Sequence, residues 1–115
     1  MANKLIQLKD GNDNVFPKIG VRTQFLDSYN ICNYTDFIVE IVLQRTGKVF
    51  GDGIETFFDW VLPSEARPSS VRHFTVWGRG TRLEVVVYAD GRVSLVPIGT
   101  TLQDVWIYTS IMFFK

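Results

Sequence analysis

Residues 81–97 read TRLEVVVYADGRVSLVP, and this stretch decides the fold class. Apolar side chains at Leu83, Val85 and Val87 alternate with their neighbours, which is the period of a half-buried β-strand. Asp90-Gly91 then separates two apolar runs, and this dipeptide favours a tight hairpin turn whose two central residues both have positive φ. We therefore predict two antiparallel strands joined at Asp90-Gly91.

Similar strand patterns occur on both sides of this hairpin. They cover residues 34–44, 54–62, 71–77 and 102–114, and turns that contain glycine or proline separate them. No stretch of the sequence sustains the apolar stripe of a helix. The sequence therefore predicts an all-β chain, folded as an antiparallel β-sandwich or barrel of about seven strands.

The last of these stretches, residues 102–114, is apolar on both faces of the predicted strand. Ile107 and Ile111 alternate with Trp106, Met112 and Phe114 on the other side. A strand that is apolar on both sides needs cover on both sides. We expect that cover to come from a second sheet on one side and from either a sheet or another subunit on the other.

The N-terminal part of the chain has a weaker pattern. Residues 4–9 alternate like a short strand, and the polar cluster at residues 10–14 predicts a turn. From there to residue 33 no period is evident, so we predict a mostly irregular arm with at most one short strand. The predicted division is an N-terminal attachment arm at residues 1–33 and a sandwich domain at residues 34–115.

Size and charge exclude several classes of function. The chain has 115 residues and a mass of 13.2 kDa, the size of one compact domain. Its 12 basic and 12 acidic side chains cancel, so no positive field is expected to attract nucleic acid or anionic lipid. Charged residues interrupt the N-terminus before a signal-peptide core can form, and no apolar run is long enough to span a membrane. We expect neither nucleic-acid binding nor membrane insertion.

Metal and cofactor sites are not expected either. Cys32 is the single cysteine and His73 the single histidine, too few to hold zinc. Residues 10–14 begin like a calcium-binding EF-hand loop, but Val15 and Val21 stand where the loop needs glycine and glutamate. A plain turn is therefore favoured at residues 10–14.

Two sets of residues are candidates for catalysis. Cys32 and His73 could form a nucleophile and its base, and Glu55 and Asp59 would share a strand face as the carboxylate pair of a glycosidase does. The residues around Cys32 match no cysteine-hydrolase signature, and a small sandwich has little room for a deep cleft. We predict no catalytic residues and a chain that is not an enzyme.

Aromatic side chains are the most promising binding groups. They make up 14% of the chain and include Trp60, Trp77 and Trp106. Such rings either fill the core or, where exposed on a β scaffold, stack on sugars. Trp77 lies beside the glycine-flanked turn that holds Arg79. We name Trp77, Arg79 and Asp90 as candidate ligand-binding residues, with core packing of Trp77 as the alternative.

Two motifs resemble proteins of bacteriophage tails. NKLIQLKDG at residues 3–11, followed by NVFP at 14–17, resembles the N-terminal opening of tail-fibre and baseplate proteins of tailed phages and prophages. LPSEARPS at residues 62–69, followed by VVVYADGRV at 85–93, resembles the C-terminal head module of those fibres. The two motifs frame most of the chain and leave its middle covered by the strand pattern alone.

The resemblance implies a non-enzymatic structural protein of the virion, assembled in the cytoplasm of a bacterial host. It implies a homotrimer with a jelly-roll-like head that binds a saccharide of the host cell surface, while the arm contacts other virion proteins. A short irregular stretch stands where fibre proteins have a long shaft, which favours a compact head. The alternatives are a capsid or tail decoration protein without receptor activity, a small carbohydrate-active enzyme or lectin, and a cellular protein.

Overall fold

The structure is a computed structural model, and it describes residues 20–115. Among these residues no helix is long and apolar enough to cross a membrane. The regular structure consists of eight β-strands and one 3₁₀ turn at Ser64–Ala66. The strands are β1 (Arg22–Phe25), β2 (Ile31–Tyr34), β3 (Ile38–Arg45), β4 (Thr56–Val61), β5 (Arg72–Gly78), β6 (Thr81–Val87), β7 (Arg92–Ile98) and β8 (Trp106–Phe114).

The strands form two antiparallel sheets of four strands each. The order is β1-β2-β3-β8 in the first sheet and β4-β7-β6-β5 in the second. In the second sheet three consecutive strands are joined by hairpins and β4 lies beside the last of them, which is a Greek-key arrangement. The predicted all-β antiparallel sandwich is confirmed.

The core lies between the two sheets and follows the alternation in the sequence. Leu83, Val85 and Val87 of β6 are fully buried, as their spacing predicted. Each such side chain contributes about 1.5–3 kcal/mol on burial, so the inward faces supply the main stabilisation of the sandwich. The other buried aliphatic side chains of the strands are Val39, Ile41 and Leu43 of β3, Val93 and Leu95 of β7, and Ile107 and Ile111 of β8.

The first two strands extend the sandwich into the predicted irregular arm. β1 pairs with β2 along its whole length, and β2 pairs with β3. Each has only four residues, too few for a period of two to stand out, and pairing with β3 determines their conformation. The predicted boundary between residues 1–33 and 34–115 therefore falls inside β2. The strand predicted at residues 4–9 and the turn at 10–14 lie outside the described residues.

The tight two-residue turn lies between β5 and β6. Its central residues are Arg79 and Gly80, with φ of 55° and 69°. Gly78 pairs with Thr81 on either side of the turn. Positive φ at both central positions gives the twist that suits a two-residue hairpin. Arginine is an unusual residue there, so the sequence did not indicate this turn type.

The connection between β6 and β7 differs from the predicted tight turn at Asp90-Gly91. Gly91 has φ 94°, whereas Asp90 does not have positive φ. The backbone N–H of Gly91 donates to the oxygen of Tyr88 at 2.9 Å, and the N–H of Tyr88 donates to the oxygen of Arg92 at 2.9 Å. This is a three-residue loop with a glycine bulge, another common hairpin connection. The hairpin was predicted correctly, but its loop is one residue longer.

The sandwich is open along the side where β1 and β4 lie. Two clefts enter between the sheets there. One is lined by residues 24–26 and 61–63, with Arg67 at its border. The other lies between residues 26–27, 46–48 and 58–60.

The opposite side is closed by contact between β5 and β8. The rings of Phe74 and Phe113 have centroids 6.1 Å apart. At the other end of β5, a Cβ atom on Gly78 would lie 2.8 Å from the backbone oxygen of Ile107. The missing side chain therefore allows β5 to approach the backbone of β8.

The close approach of β5 to β8 predicts that a methyl group added at Gly78 destabilises the fold. Gly78→Ala should lower the free energy of unfolding by about 2–3 kcal/mol, because the clash is with backbone and no rotamer change relieves it. Gly51→Ala is the matched control: its Cβ would meet the flexible Cδ1 of Ile54 at 3.1 Å, and we expect a loss below about 1 kcal/mol. Urea unfolding measures both. Equal stability of the two variants would contradict the close contact of β5 with β8.

Candidate functional site

The pairing of β3 with β8 is interrupted at Tyr108. Leu43 pairs with Thr109 and Arg45 with Trp106, so two residues of β8 lie opposite one residue of β3. Tyr108 lies in this β-bulge with φ 47°. A left-handed conformation costs a residue with a side chain about 1–2 kcal/mol, and glycine usually takes it. Strain of this kind is concentrated at functional sites.

The bulge brings three aromatic rings together at one end of the first sheet. The Tyr108 side chain is 68% exposed, and its ring is nearly parallel to that of Trp106, with centroids 5.5 Å apart and planes inclined by 8°. Tyr29, in the turn between β1 and β2, meets Trp106 edge-on at 5.0 Å. We call Tyr29, Trp106 and Tyr108 the aromatic platform. The Tyr108 ring is largely exposed at this end of the sheet, whereas Trp106 is half-buried.

An ion pair supports the platform from one side. The guanidinium carbon of Arg45 lies 5.1 Å from the ring centroid of Trp106 and 5.4 Å from that of Tyr29. Asp104 accepts hydrogen bonds from Nε of Arg45 at 2.9 Å and from Nη2 at 3.2 Å. This bonding raises the pKa of Arg45 and lowers the pKa of Asp104. The two charges neutralise each other, so the platform carries little net charge.

The buried amide of Asn30 fixes the turn that carries Tyr29. Its Oδ1 accepts from the backbone N–H groups of Gln44 at 2.7 Å and Arg45 at 3.1 Å. Its Nδ2 donates to Oδ2 of Asp27 and to the backbone oxygen of Arg45, both at 3.0 Å. Two donors and two acceptors are therefore satisfied, which is the full ordinary capacity of an amide. The β1–β2 turn is thereby tied to the end of β3.

Polar side chains border the exposed ring of Tyr108. Gln44, Thr109 and Ser110 line a shallow depression together with Tyr108 and Val42. Nε2 of Gln44 donates to the backbone oxygen of Tyr29 at 2.7 Å, which holds the amide beside the platform. Amide and hydroxyl groups next to an aromatic face can bind a ligand that has both apolar and hydrogen-bonding sides.

Two of the three predicted ligand-binding residues lie together. Trp77 and Arg79 belong to the hairpin between β5 and β6. The Trp77 side chain is 67% exposed and lies on the outer face of the second sheet, so the alternative of core packing is wrong. Arg79 is exposed in the turn itself. Ligand binding by this pair stays a prediction.

Asp90 lies at the opposite end of β6 from that pair. Its Oδ1 accepts from the backbone N–H of Arg92 at 3.1 Å, and its Oδ2 accepts from Nε of Arg92 at 2.8 Å. The backbone hydrogen bond is the main reason why the pKa of Asp90 is lowered. The carboxylate thus stabilises its own turn, and the structure does not bring the three predicted residues into one site.

The two acids considered as a glycosidase pair have separate partners. Oε2 of Glu55 accepts from the hydroxyl groups of Tyr88 at 2.6 Å and Ser94 at 2.7 Å. The bond from Tyr88 lowers the pKa of Glu55, whereas a general acid needs a raised pKa. Asp59 pairs with Nζ of Lys48 at 2.8 Å. These contacts give the two carboxylates structural roles.

Cys32 and His73 lie on different sheets. Cys32 is fully buried on β2, and burial raises the pKa of its thiol to about 11. His73 is exposed on β5. A thiol with so high a pKa is a poor nucleophile at neutral pH. Within residues 20–115, no three His, Cys, Asp or Glu side chains are placed to hold a metal ion.

The sequence indicated only part of the aromatic platform. Trp106 was noted among the tryptophans, and its spacing to Tyr108 was visible in the last strand. The same spacing also suits core residues, so it did not identify a site. Tyr29 and Arg45 join the platform through long-range pairing, and the bulge at Tyr108 has no sequence signal because glycine is absent there.

The hydrogen bonds of Asn30 predict a large loss of stability on substitution. Asn30→Leu should lower the free energy of unfolding by about 3 kcal/mol, because buried backbone groups of β3 lose their partners. The matched control is Asn33→Leu, since within the described residues the Asn33 amide bonds to the side chains of Thr23 and Glu40 on the outer face; we expect a loss below about 1 kcal/mol. Thermal unfolding compares the two. Similar losses would show that Asn30 does not hold the turn.

Comparison with known proteins does not assign the chain to a family. Comparison of the chain with protein-family models, with curated proteins and with solved structures found no match. The function is therefore inferred from the aromatic platform and its surroundings.

Proposed function

We propose that the chain is a non-enzymatic, saccharide-binding structural module of a bacteriophage virion. The observation that carries the proposal is the exposed ring of Tyr108, which stacks on the half-buried ring of Trp106 while the Tyr108 backbone is held in a strained conformation. The Tyr108 ring adds little buried apolar area to the core, because most of its side chain is exposed to solvent. Binding of a ligand to the Tyr108 ring would explain why the chain keeps this strained backbone conformation.

The chemistry of the platform suits a sugar ring. A pyranose presents C–H groups on its face, and these pack against the negative face of an aromatic ring. Its hydroxyl groups need hydrogen-bonding partners at the edge, where Gln44 and Ser110 lie beside Tyr108. The neutralised pair of Arg45 and Asp104 adds no net charge. Stacking on the rings and bonding at the rim can therefore act on the same sugar.

The position of the platform supports attachment to a larger particle. β1 begins at Arg22, at the end of the first sheet where Tyr34 and Phe113 lie, and the platform is at the other end. The chain therefore enters the sandwich far from the binding surface. This arrangement suits a head that is attached by its N-terminal part, as the tail-fibre motifs at residues 3–17 and 62–93 imply.

The end of the first sheet that lies away from the platform has an apolar outer face. One face of β8 is buried through Ile111 and Phe113, whereas Phe114 on its other face is 71% exposed. We call this surface the apolar end. It consists of side chains that are exposed or half-buried: Val21, Phe37, Ile38, Met112 and Phe114.

Self-association through the apolar end is part of the proposal. A contiguous apolar patch on a small domain is a common association surface. The outer face of the second sheet carries the ion pair of Arg82 and Glu84. On the first sheet Glu40 lies opposite Met112 at the border of the apolar end, where it accepts a hydrogen bond from the Asn33 amide. Packing of the apolar ends in a homotrimer covers the exposed rings of Phe37 and Phe114 and leaves the platform free at the far end.

Replacement of the ring at Tyr108 tests saccharide binding. Tyr108→Gly should lower the affinity for cell-surface polysaccharide of the bacterial host at least about tenfold, because stacking on an aromatic side chain is lost. Folding should change by no more than about 1 kcal/mol, since glycine relieves the strained φ and the lost ring is exposed. Isothermal titration calorimetry on purified polysaccharides of candidate hosts measures the binding.

Trp77→Ala is the matched control for that experiment, because it removes an equally exposed ring from the second sheet. Unchanged binding by this variant and weakened binding by Tyr108→Gly support the platform. The reverse result would move the site to Trp77 and Arg79. Absence of binding to any polysaccharide would contradict the receptor role and favour decoration, and release of reducing sugar would show an enzyme.

Self-association predicts the mass of the protein in solution. Light scattering coupled to size exclusion should give a species of three times 13.2 kDa. Met112→Glu should give a monomer, because a charge at the apolar end cannot be buried without a partner. Trp77→Ala, on the other sheet, should keep the mass of the wild type. A wild-type monomer would contradict association through the apolar end.

A further inference from the structure

The outer edge of β1 has backbone N–H and C=O groups that no residue of the described range bonds. At the end of β1 the N–H of Leu26 donates to the oxygen of the directly opposite Asn30 at 2.8 Å. In an antiparallel pair such hydrogen-bonded positions alternate with positions whose N–H and C=O groups point away from the partner strand. Thr23 and Phe25 occupy the second kind of position. Their backbone groups therefore point away from β2, towards the open side of the sandwich.

β1 is less protected than the other edge strands of the described sheets. β5 and β8 contact each other on the closed side. β4 has a register shift and carries Asp59, whose carboxylate pairs with Lys48. Irregular pairing and charged side chains of this kind hinder the addition of a further strand. β1 has a regular register over four exposed residues, and its single charge, on Arg22, is paired with Asp36 at 2.7 Å.

A cleft beside this edge has room for a side chain of an added strand. It has a volume of about 260 Å³ and lies between residues 24–26 of β1 and residues 61–63. Gln24 faces the inside of the sandwich, since it pairs with the buried Cys32, and Phe25 is 63% exposed on the outer face. Successive side chains of a strand point to opposite faces. An added strand would therefore place one side chain in the cleft and its two neighbours beside β1 on the outer face.

Arg67 gives this cleft a positive charge, and none of the other residues that line it is charged. Arg67 is half-buried, and its Nε donates to the backbone oxygen of Leu62 at 2.9 Å. None of the ion pairs among residues 20–115 includes Arg67. Its remaining N–H groups reach solvent, because in the described part of the chain only Nε1 of Trp60 is fully buried without a partner. These groups can donate charge-assisted hydrogen bonds to a carboxylate.

We propose that β1 binds an extended segment of a partner protein in which an acidic residue lies between two apolar residues. The segment pairs antiparallel with β1, and its apolar residues lie opposite Thr23 and Phe25 and exchange backbone hydrogen bonds with them. The acidic residue lies opposite Gln24, so its carboxylate enters the cleft beside Arg67. Backbone bonds supply the affinity and the carboxylate supplies the selectivity. The inference goes beyond the proposed function, since neither saccharide binding nor self-association enters it.

A short peptide tests this pairing. The probe is acetyl-Thr-Val-Glu-Val-Thr-amide, titrated into the ¹⁵N-labelled full chain and followed by NMR. We expect the amide signals of Thr23 and Phe25 to shift and their hydrogen exchange to slow, because these N–H groups gain acceptors.

Two altered peptides separate the backbone bonds from the charge. The peptide with both valine nitrogens methylated should bind at least about tenfold more weakly than the probe, because it cannot donate to β1. The peptide with glutamine in place of glutamate should also bind about tenfold more weakly, because Arg67 loses a charged acceptor.

Thr23→Pro removes one backbone donor of the protein. Proline is tolerated on an edge strand where the N–H points outward, and the N–H of Thr23 points away from β2. Thr23→Val is the matched control, because it also lacks the hydroxyl group that donates to Asn33 but keeps the backbone N–H. We expect the probe to bind at least about tenfold more weakly to Thr23→Pro than to Thr23→Val. Thermal unfolding checks that both variants fold, and the methylated peptide gives an answer that needs no variant.

Several results would overturn the inference. Slow exchange at Thr23 and Phe25 before any peptide is added would show that this chain or a second copy already occupies the edge. Absence of binding by the probe, and equal binding of the probe and either altered peptide, would also overturn it. Equal binding by folded Thr23→Pro and Thr23→Val would do the same. The proposed function is tested separately, by polysaccharide binding and by the mass in solution.

Discussion

The buried amide of Asn30 is the contact on which the aromatic platform depends. It links the β1–β2 turn to the end of β3, and that turn supplies Tyr29 to the platform. An amide accepts two hydrogen bonds through its oxygen and donates two through its nitrogen, so neither a carboxylate nor a hydroxyl group could make the same four bonds. This internal link therefore holds the turn close to Arg45, whose guanidinium lies over the rings of Tyr29 and Trp106.

The strain at Tyr108 persists because the backbone beside it is held on both sides. Ile107 is buried and lies against Gly78 of β5, while Thr109 pairs with Leu43 of β3. A residue keeps an unfavourable φ only where the surrounding structure leaves it no alternative. The contact of β5 with β8 on the closed side of the sandwich thus has a second effect besides covering the core. It holds β8 in the register that places the Tyr108 ring parallel to Trp106.

The sequence predicted those parts of the fold in which local pattern and tertiary structure agree. The alternation in β3, β6 and β8 matches their buried faces, because each strand covers the core with one side. β1 and β2 are too short to show a period and depend on pairing with β3. Whether Trp77 is buried or exposed depends on which face of β5 packs on the core, and the composition of the strand does not determine that face. The composition does not determine the tight turn at Arg79 either. The platform was missed since Tyr29 and Arg45 join it through long-range pairing and the bulge at Tyr108 has no sequence signal.

The two ends of β8 differ in the groups that accompany their apolar side chains. Near Tyr108 the neighbours include Gln44, Thr109 and Ser110. Near Phe114 they include Phe37 and Ile38, with Glu40 opposite Met112. A surface that binds a saccharide reversibly must replace the hydrogen bonds that the sugar makes with water, so it needs such groups. A surface that is covered throughout the life of the assembly needs mainly shape and apolar area. The change in composition along one strand therefore fits the proposal that one end binds a ligand while the other end associates, and the sandwich keeps the two ends apart.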